Sequence, residues 1–174
     1  MLIKTEDLAS KNIINFYLPS PITDVGDSLL FISATDGDVS FLREIFDTDD
    51  VKRCFLSENL VSIQYSENSD KEDIKALVLA YIDEYMRENG CTINITDEAD
   101  LLAKCEALAD ALIRPTLNRD NGDVELNILS DDTLEVCFTG HCAGCPFAQN
   151  TLQNVIIRTF KRYLPQIREI KLKE

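Results

Sequence analysis

Basic residues are scarce in this 174-residue chain: 17 Lys and Arg stand against 31 Asp and Glu, a formal net charge of −14. Acidity on this scale repels phosphate backbones and anionic headgroups, so no nucleic-acid partner and no membrane partner is expected. The deficit is uneven. Residues 1–98 hold 8 basic against 20 acidic residues, a balance of −12, which leaves −2 for residues 99–174. Long apolar runs are missing as well, and none approaches the roughly 18 consecutive apolar residues of a transmembrane helix. The opening stretch MLIKTEDLASKNIINFYL has no basic segment leading into an unbroken apolar run, and it carries acidic residues. Neither a secretory signal nor a transit peptide is read there, and the expected location is the cytoplasm of a bacterial-type cell. In that compartment cysteines are reduced and serve metal or redox chemistry rather than disulfides. Histidine is nearly absent, His141 being the one copy, and there is no internal repeat or low-complexity tract.

What is present is enough for folded cores: 45% hydrophobic and 28% charged residues describe a globular chain rather than a disordered one. The length accommodates two small domains. From Asn12 to about Tyr65, the runs IINFYL, SLLFIS, VKRCFL and LVSIQY read as strands. VSFLREIF, with Val39, Leu42, Ile45 and Phe46 at helical steps, reads as a short helix between them. A longer helix follows in DKEDIKALVLAYIDEYMRENG, its apolar stripe running through Ile74, Leu77, Val78, Tyr81, Ile82 and Tyr85 and its stop at Asn89-Gly90.

The fold class expected is α+β, built as an α+β domain over residues 1–90, a linker over 91–97 and a second α+β domain over 98–174. That second domain opens with a helix whose stripe is Leu101, Leu102, Cys105, Leu108, Ala109, Leu112 and Ile113. The turn-rich stretch RPTLNRDNGD comes next, then two strands, DVELNIL and TLEVCF, joined across Ser130-Asp131-Asp132. Val124, Leu126 and Ile128 share one face with Leu134, Val136 and Phe138. After the motif Gly140-His-Cys-Ala-Gly-Cys-Pro146, a helix runs to Pro165 and IREIKLK forms a last strand. The expected domain is a three-stranded sheet with two helices and a C-x-x-C loop at a helix N-terminus.

Cys142 and Cys145 are the chemistry-bearing pair. Free N–H groups and the dipole at a helix start favour thiolates, and small Ala143 and Gly144 let the backbone curl so that both sulfurs point one way. Three chemistries fit. Thioredoxin-like exchange needs more chain after its motif than the 29 residues that follow Cys145. Structural zinc needs four Cys or His ligands, and no second C-x-x-C exists; His141, next to Cys142, would have to bend sharply to share one ion with it. That reading survives as the alternative of a non-enzymatic adaptor with a structural or regulatory zinc site.

An iron-sulfur cluster needs only thiolates. Cys137 stands at the C-x4-C-x2-C spacing, yet it lies inside a strand on the face opposite Val136 and Phe138. Cys105 sits on a helix stripe, where a cysteine packs as a small hydrophobe, while Cys54 and Cys91 have no partner at ligand spacing. By elimination, the missing two ligands come from a second copy of the chain, which gives one [4Fe-4S] cluster four thiolates about a two-fold axis. Such a cluster would form with the dimer and be surrendered to other thiolates.

The run from Ile113 to Ile170 resembles the C-terminal domain of NifU and the Nfu-type iron-sulfur carriers. Arg114-Pro115, the Asp120-x-Gly-Asp123 turn, Gly140-x-Cys-x-x-Cys-Pro146, Thr151-Leu152 and Pro165 stand in the family's order. More loosely, NIINFYL, FLREIFDTDDVKRCFL and NLVSIQY are similar to the Nfu N-terminal domain. The resemblance implies a carrier that is not an enzyme. It would bind a [4Fe-4S] cluster through Cys142 and Cys145 of two subunits, as a homodimer when loaded, accept it from a scaffold or donor protein and deliver it to apo-proteins. Arg114, Asp120 and Asp123 are expected to serve as turn and helix-end contacts. Asn121 departs from the family's usual glycine, His141 from a small residue, and Phe147-Ala148 from small hydroxyl residues.

Overall fold

A computed structural model describes residues 2–33, 40–89, 92–93, 97, 99–141 and 146–173, without the side chains of 89 and 146–153. Cys91, Cys142, Ala143, Gly144 and Cys145 lie outside the described residues, as does the Gly90 helix stop. The chain forms two units, Met1–Ala99 and Asp100–Glu174, with an α+β architecture in each.

In the first unit, β1 (Lys4–Leu8), β2 (Ile13–Tyr17), β3 (Ser28–Phe31), β4 (Val51–Ser57) and β5 (Leu60–Tyr65) make one antiparallel sheet in the order β1-β2-β5-β4-β3. Ile14 and Phe16 of β2, Cys54 and Leu56 of β4, and Val61 and Ile63 of β5 share one face of the sheet, while Ile13, Phe55 and Leu60 are buried on the other. They share a core with Phe41, Leu42 and Ile45 of α1 (Ser40–Phe46) and with Ile74, Val78 and Ile82 of α2 (Lys71–Asn89). The α2 triplet follows the i, i+4, i+8 spacing that puts one stripe against a sheet. Asp70 starts that helix, its carboxylate accepting from the N–H groups of Glu72 and Asp73 at 2.8 and 3.2 Å. The rings of Phe41 and Tyr85 lie 5.2 Å apart and tie α1 to α2.

Strand β1 is a departure from the sequence reading, which begins its strands at Asn12. KTEDL is polar, with no alternation of its own to read, and it is recruited as an edge by backbone pairing with β2. Asp7 on this strand is bridged by Lys71 and Lys75 of α2 at 3.1 and 2.9 Å.

In the second unit, α3 (Leu101–Leu108) starts on an Asp100 cap whose carboxylate accepts from the Ala103 N–H at 2.7 Å. The sequence reading stops this helix at Arg114-Pro115. Instead a single π turn, Ala109–Ile113, leads straight into α4 (Arg114–Asn118). The Arg114 N–H reaches back five residues to the Ala109 carbonyl. Widening the helix just ahead of Pro115 gives the proline ring room, and the helical run continues where a regular α-helix would clash or kink.

Strands β6 (Gly122–Ser130) and β7 (Thr133–Gly140) form the expected antiparallel hairpin, and β8 (Glu169–Lys173) pairs in parallel with β7. Between β7 and β8 runs α5 (Pro146–Tyr163). Val124, Leu126, Leu134, Val136 and Phe138 are buried, as are Leu108 and Leu117 of the first helical run and Ile156 and Phe160 of α5. The Asp132 carbonyl, at the hairpin turn, accepts from the N–H groups of Arg168 and Glu169 and so fixes where β8 begins. No helix among the described residues is long and apolar enough to cross a membrane.

Candidate cluster-binding site

The candidate site is approached from β7 on one side and left through α5 on the other. Strand β7 ends at Gly140, whose φ of +65° is open to glycine and costly to other residues. A Cβ there would collide with the backbone oxygen of Asn121. That same oxygen accepts from the His141 N–H at 3.1 Å, so the last residue before Cys142 is pinned by its backbone. The His141 side chain is exposed.

Asn121 itself holds a left-handed conformation, φ 53°, which asparagine tolerates better than most residues. The departure from glycine at this place is absorbed without loss of the turn. Below it, the Asp120 and Asn121 N–H groups close on Leu117 and Asn118 at 3.0 and 3.2 Å. Directly across the ladder, Gly122 faces Gly140. On the exit side Pro146 begins α5, a position suited to a residue without an N–H. The far end of that helix carries Lys161 and Arg162, complementing its negative pole.

Beside this frame lies a buried guanidinium. Arg114 donates from Nη1 to Asp110 at 2.9 Å and contacts Glu106 at 2.6 Å; its Nε meets Asp123 at 3.0 Å and its Nη2 the Val124 carbonyl at 3.1 Å. Burial acts to lower its pKa. The hydrogen bonds to Glu106 and Asp110 outweigh that and hold it above its ordinary value, so the group stays charged. Arg114 and Asp123 are thus brought together, as expected of helix-end contacts, whereas Asp120 is exposed and contributes its backbone to the turn. The sequence reading missed Glu106 and Asp110. Their spacing, 106, 110, 114, was the available signal, since one helix face repeats every four residues.

Of the other candidate thiols, Cys54 is sealed in the first unit's core and Cys105 in the second's. Burial pushes the Cys54 thiol far up and the Cys105 thiol to about 12, the latter helped by Glu106 and Asp100. Cys137 is half-buried on the sheet face opposite Val136 and Phe138, between Glu125 of β6 and Lys173 of β8 in the ladder. Among the described residues no group of three or more His, Cys, Asp or Glu side chains is arranged to hold a metal ion.

Fold and frame together define a class: a two-unit α+β protein whose second unit sets a Cys-Ala-Gly-Cys segment between a glycine strand end and a helix start. Residues 106–171 match the family model described as NifU-like domain, and residues 3–89 match the one described as Scaffold protein Nfu/NifU N terminal. The chain belongs to the Nfu family of NifU-like proteins.

Its curated relatives include the "NFU1 iron-sulfur cluster scaffold homolog, mitochondrial" of Drosophila persimilis, 24% identical over 182 residues, covering 98% of this chain and 64% of the relative. The protein of the same name from Drosophila grimshawi is 25% identical over 180 residues, covering 97% and 60%. The chain therefore spans less than two thirds of the length of these relatives. The crystal structure of SAV1430 from Staphylococcus aureus aligns at a TM-score of 0.41 and 18% identity, over 47% of this chain and 99% of that one, a likeness too low to bear on function. The relatives' names overturn the expectation of a cytoplasmic, bacterial-type location, since they are mitochondrial proteins. The physical reason is that an address is carried on a removable leader, and a folded domain's own residues do not encode it.

Proposed function

We propose that this protein carries a [4Fe-4S] cluster, held by Cys142 and Cys145 of two copies of the chain, and passes it to apo-proteins. Family membership supports iron-sulfur cluster assembly as the process. The observation that carries the ligand assignment is the burial of Cys54 and Cys105 in separate cores with their thiols pushed up, which removes them from competition. Cys137, on the far face of β7, supports the same choice.

Two thiols per chain satisfy a four-thiolate cluster only in a pair, so loading and homodimer formation are one event. Transfer is ligand exchange: a client thiolate bonds to iron, a carrier thiolate leaves and takes up a proton, and no substrate bond is broken by an acid, base or nucleophile of this chain. The cluster is cargo, and the protein is a carrier and not an enzyme. Residues 1–90 form the domain that meets donors and clients, and 98–174 the domain that holds the cluster.

The test is anaerobic reconstitution with iron and sulfide, read by Mössbauer spectroscopy and native mass. One [4Fe-4S] per two chains is expected; zinc at one ion per chain overturns the reading. Cys142→Ser and Cys145→Ser each abolish binding, and clusters retained in both would refute the ligand assignment.

A further inference from the structure

We infer that Arg114 is a positioning residue for the cluster-bearing loop, acting through Asp123 and the Asn121 turn on the strand end at Gly140-His141. The inference rests on the carrier reading for its functional consequence and on geometry for its route.

The Arg114 side chain is 10% exposed, and its guanidinium faces three carboxylates. Arg114 is buried while Asp123 and Glu106 are partly exposed, so desolvation of the guanidinium and solvent screening of its partners offset much of the attraction; what the contacts fix is one geometry of the fork against its neighbours. The partners divide into two sets. Glu106 and Asp110 belong to the same helical run as Arg114 and share one nitrogen, Nη1, on the helix side of the fork, so that Asp110 still holds it when Glu106 is neutralised. Asp123 and the Val124 carbonyl belong to β6 and receive the fork's other edge. The Asp123 oxygen that accepts from Arg114 also accepts from the Val124 N–H at 2.8 Å, so this carboxylate is held on both sides.

From Asp123 the route to the loop is short and stiff. Its neighbour Gly122 is paired with Gly140, and the next residue back, Asn121, offers its carbonyl to the His141 N–H. Gly140 leaves no room for even a methyl group against that carbonyl. A shift of Asp123 is therefore passed to His141, the residue preceding Cys142, and is not absorbed on the way.

A purely structural role and a positioning role separate in a matched pair of isosteric variants. Glu106→Gln and Asp123→Asn each remove one charge from around the same guanidinium, but only the second lies on the loop side. In the full-length loaded protein, Asp123→Asn and Arg114→Lys release the cluster to an iron chelator about tenfold faster than the parent, as the loss of one charge-assisted contact allows. Glu106→Gln stays within about twofold. In the apo-chain, hydrogen exchange at the His141 amide speeds up in Asp123→Asn and Arg114→Lys and not in Glu106→Gln. Release rates that follow the urea midpoint alike in all three variants, or an unchanged His141 amide in Asp123→Asn, would overturn the inference. If the parent binds no [4Fe-4S] cluster the carrier reading fails instead, and the amide measurement still decides the positioning role.

Discussion

Replacing Gly140 by alanine addresses the tightest point of the frame. The residue sits at φ +65°, where an L side chain costs about 1–2 kcal/mol. The added Cβ also runs into the Asn121 carbonyl and comes within 3.4 Å of the Gly122 Cα, both backbone atoms that cannot rotate aside. Relief requires the strand end to move, which breaks the 3.1 Å bond from His141 N–H to Asn121 O and adds about 1 kcal/mol. The sum is about 2–3 kcal/mol, concentrated on the entry to the Cys142 segment. Amide exchange followed by mass spectrometry on the full chain is the suitable assay, because two units need not unfold in one transition and exchange resolves the local opening. Protection at His141 is expected to fall by about 30- to 150-fold. Gly140→Asn supplies a second arm. Asparagine tolerates the left-handed conformation but keeps the Cβ, so its cost should lie between those of glycine and alanine. The reasoning is refuted if alanine leaves both stability and His141 protection unchanged, or if asparagine behaves as glycine.

Treating the folded apo-chain with iodoacetamide at pH 8 should label Cys137 well before Cys54 and Cys105, whose thiols burial holds protonated; peptide masses report the order, and early labelling of Cys54 would contradict its packing. The Asp7 carboxyl is held below its usual range by its hydrogen bond to Lys75 and then by Lys71, so its stabilisation is full above about pH 4 and lost as pH falls through the folded value. Urea midpoints of the parent and Asp7→Asn should therefore differ at pH 7 by the equivalent of at most about 1 kcal/mol, given that the pair is partly exposed, and the gap should narrow steadily as the pH is lowered below about 4; a gap that does not narrow in acid speaks against the ion pair. Phe160→Ala, emptying a fully buried ring site, should cost the second unit about 3–5 kcal/mol, while Val155→Ala on the solvent side of the same helix stays within about 0.5 kcal/mol, both read by thermal melts.

The elements that declared themselves in the sequence are those whose pattern and burial coincide. Helix α2 repeats its apolar residues at helical spacing, and β6 and β7 alternate cleanly, so each could be placed with its buried face. Strand β1 could not, because KTEDL owes its conformation to β2 and not to its own residues. Nor could the passage through Pro115, where a proline that normally ends a helix is accommodated by a widened turn. The alternation in IREIKLK marks a strand, while its parallel partner β7 is set by the crossing helix. At the site, the spacing of Cys142 and Cys145 was legible, as was the glycine before them. The buried Arg114 network was only half legible, since its residues are spread over eighteen positions and meet through a helix, a turn and a strand.

The sealing of Cys54 and Cys105 also bears on the order of events during the protein's birth. An unfolded chain offers six similar thiols, and iron arriving then has no reason to prefer any pair. Among the described residues folding withdraws two of them, Cys54 and Cys105, one in each unit, so a chain that folds first meets iron with fewer wrong choices. A correctly placed cluster is, on this view, a receipt for completed folding. Adding iron and sulfide before refolding should then yield mixed iron species, and adding them afterwards a single one; identical spectra from the two orders would show that timing is irrelevant.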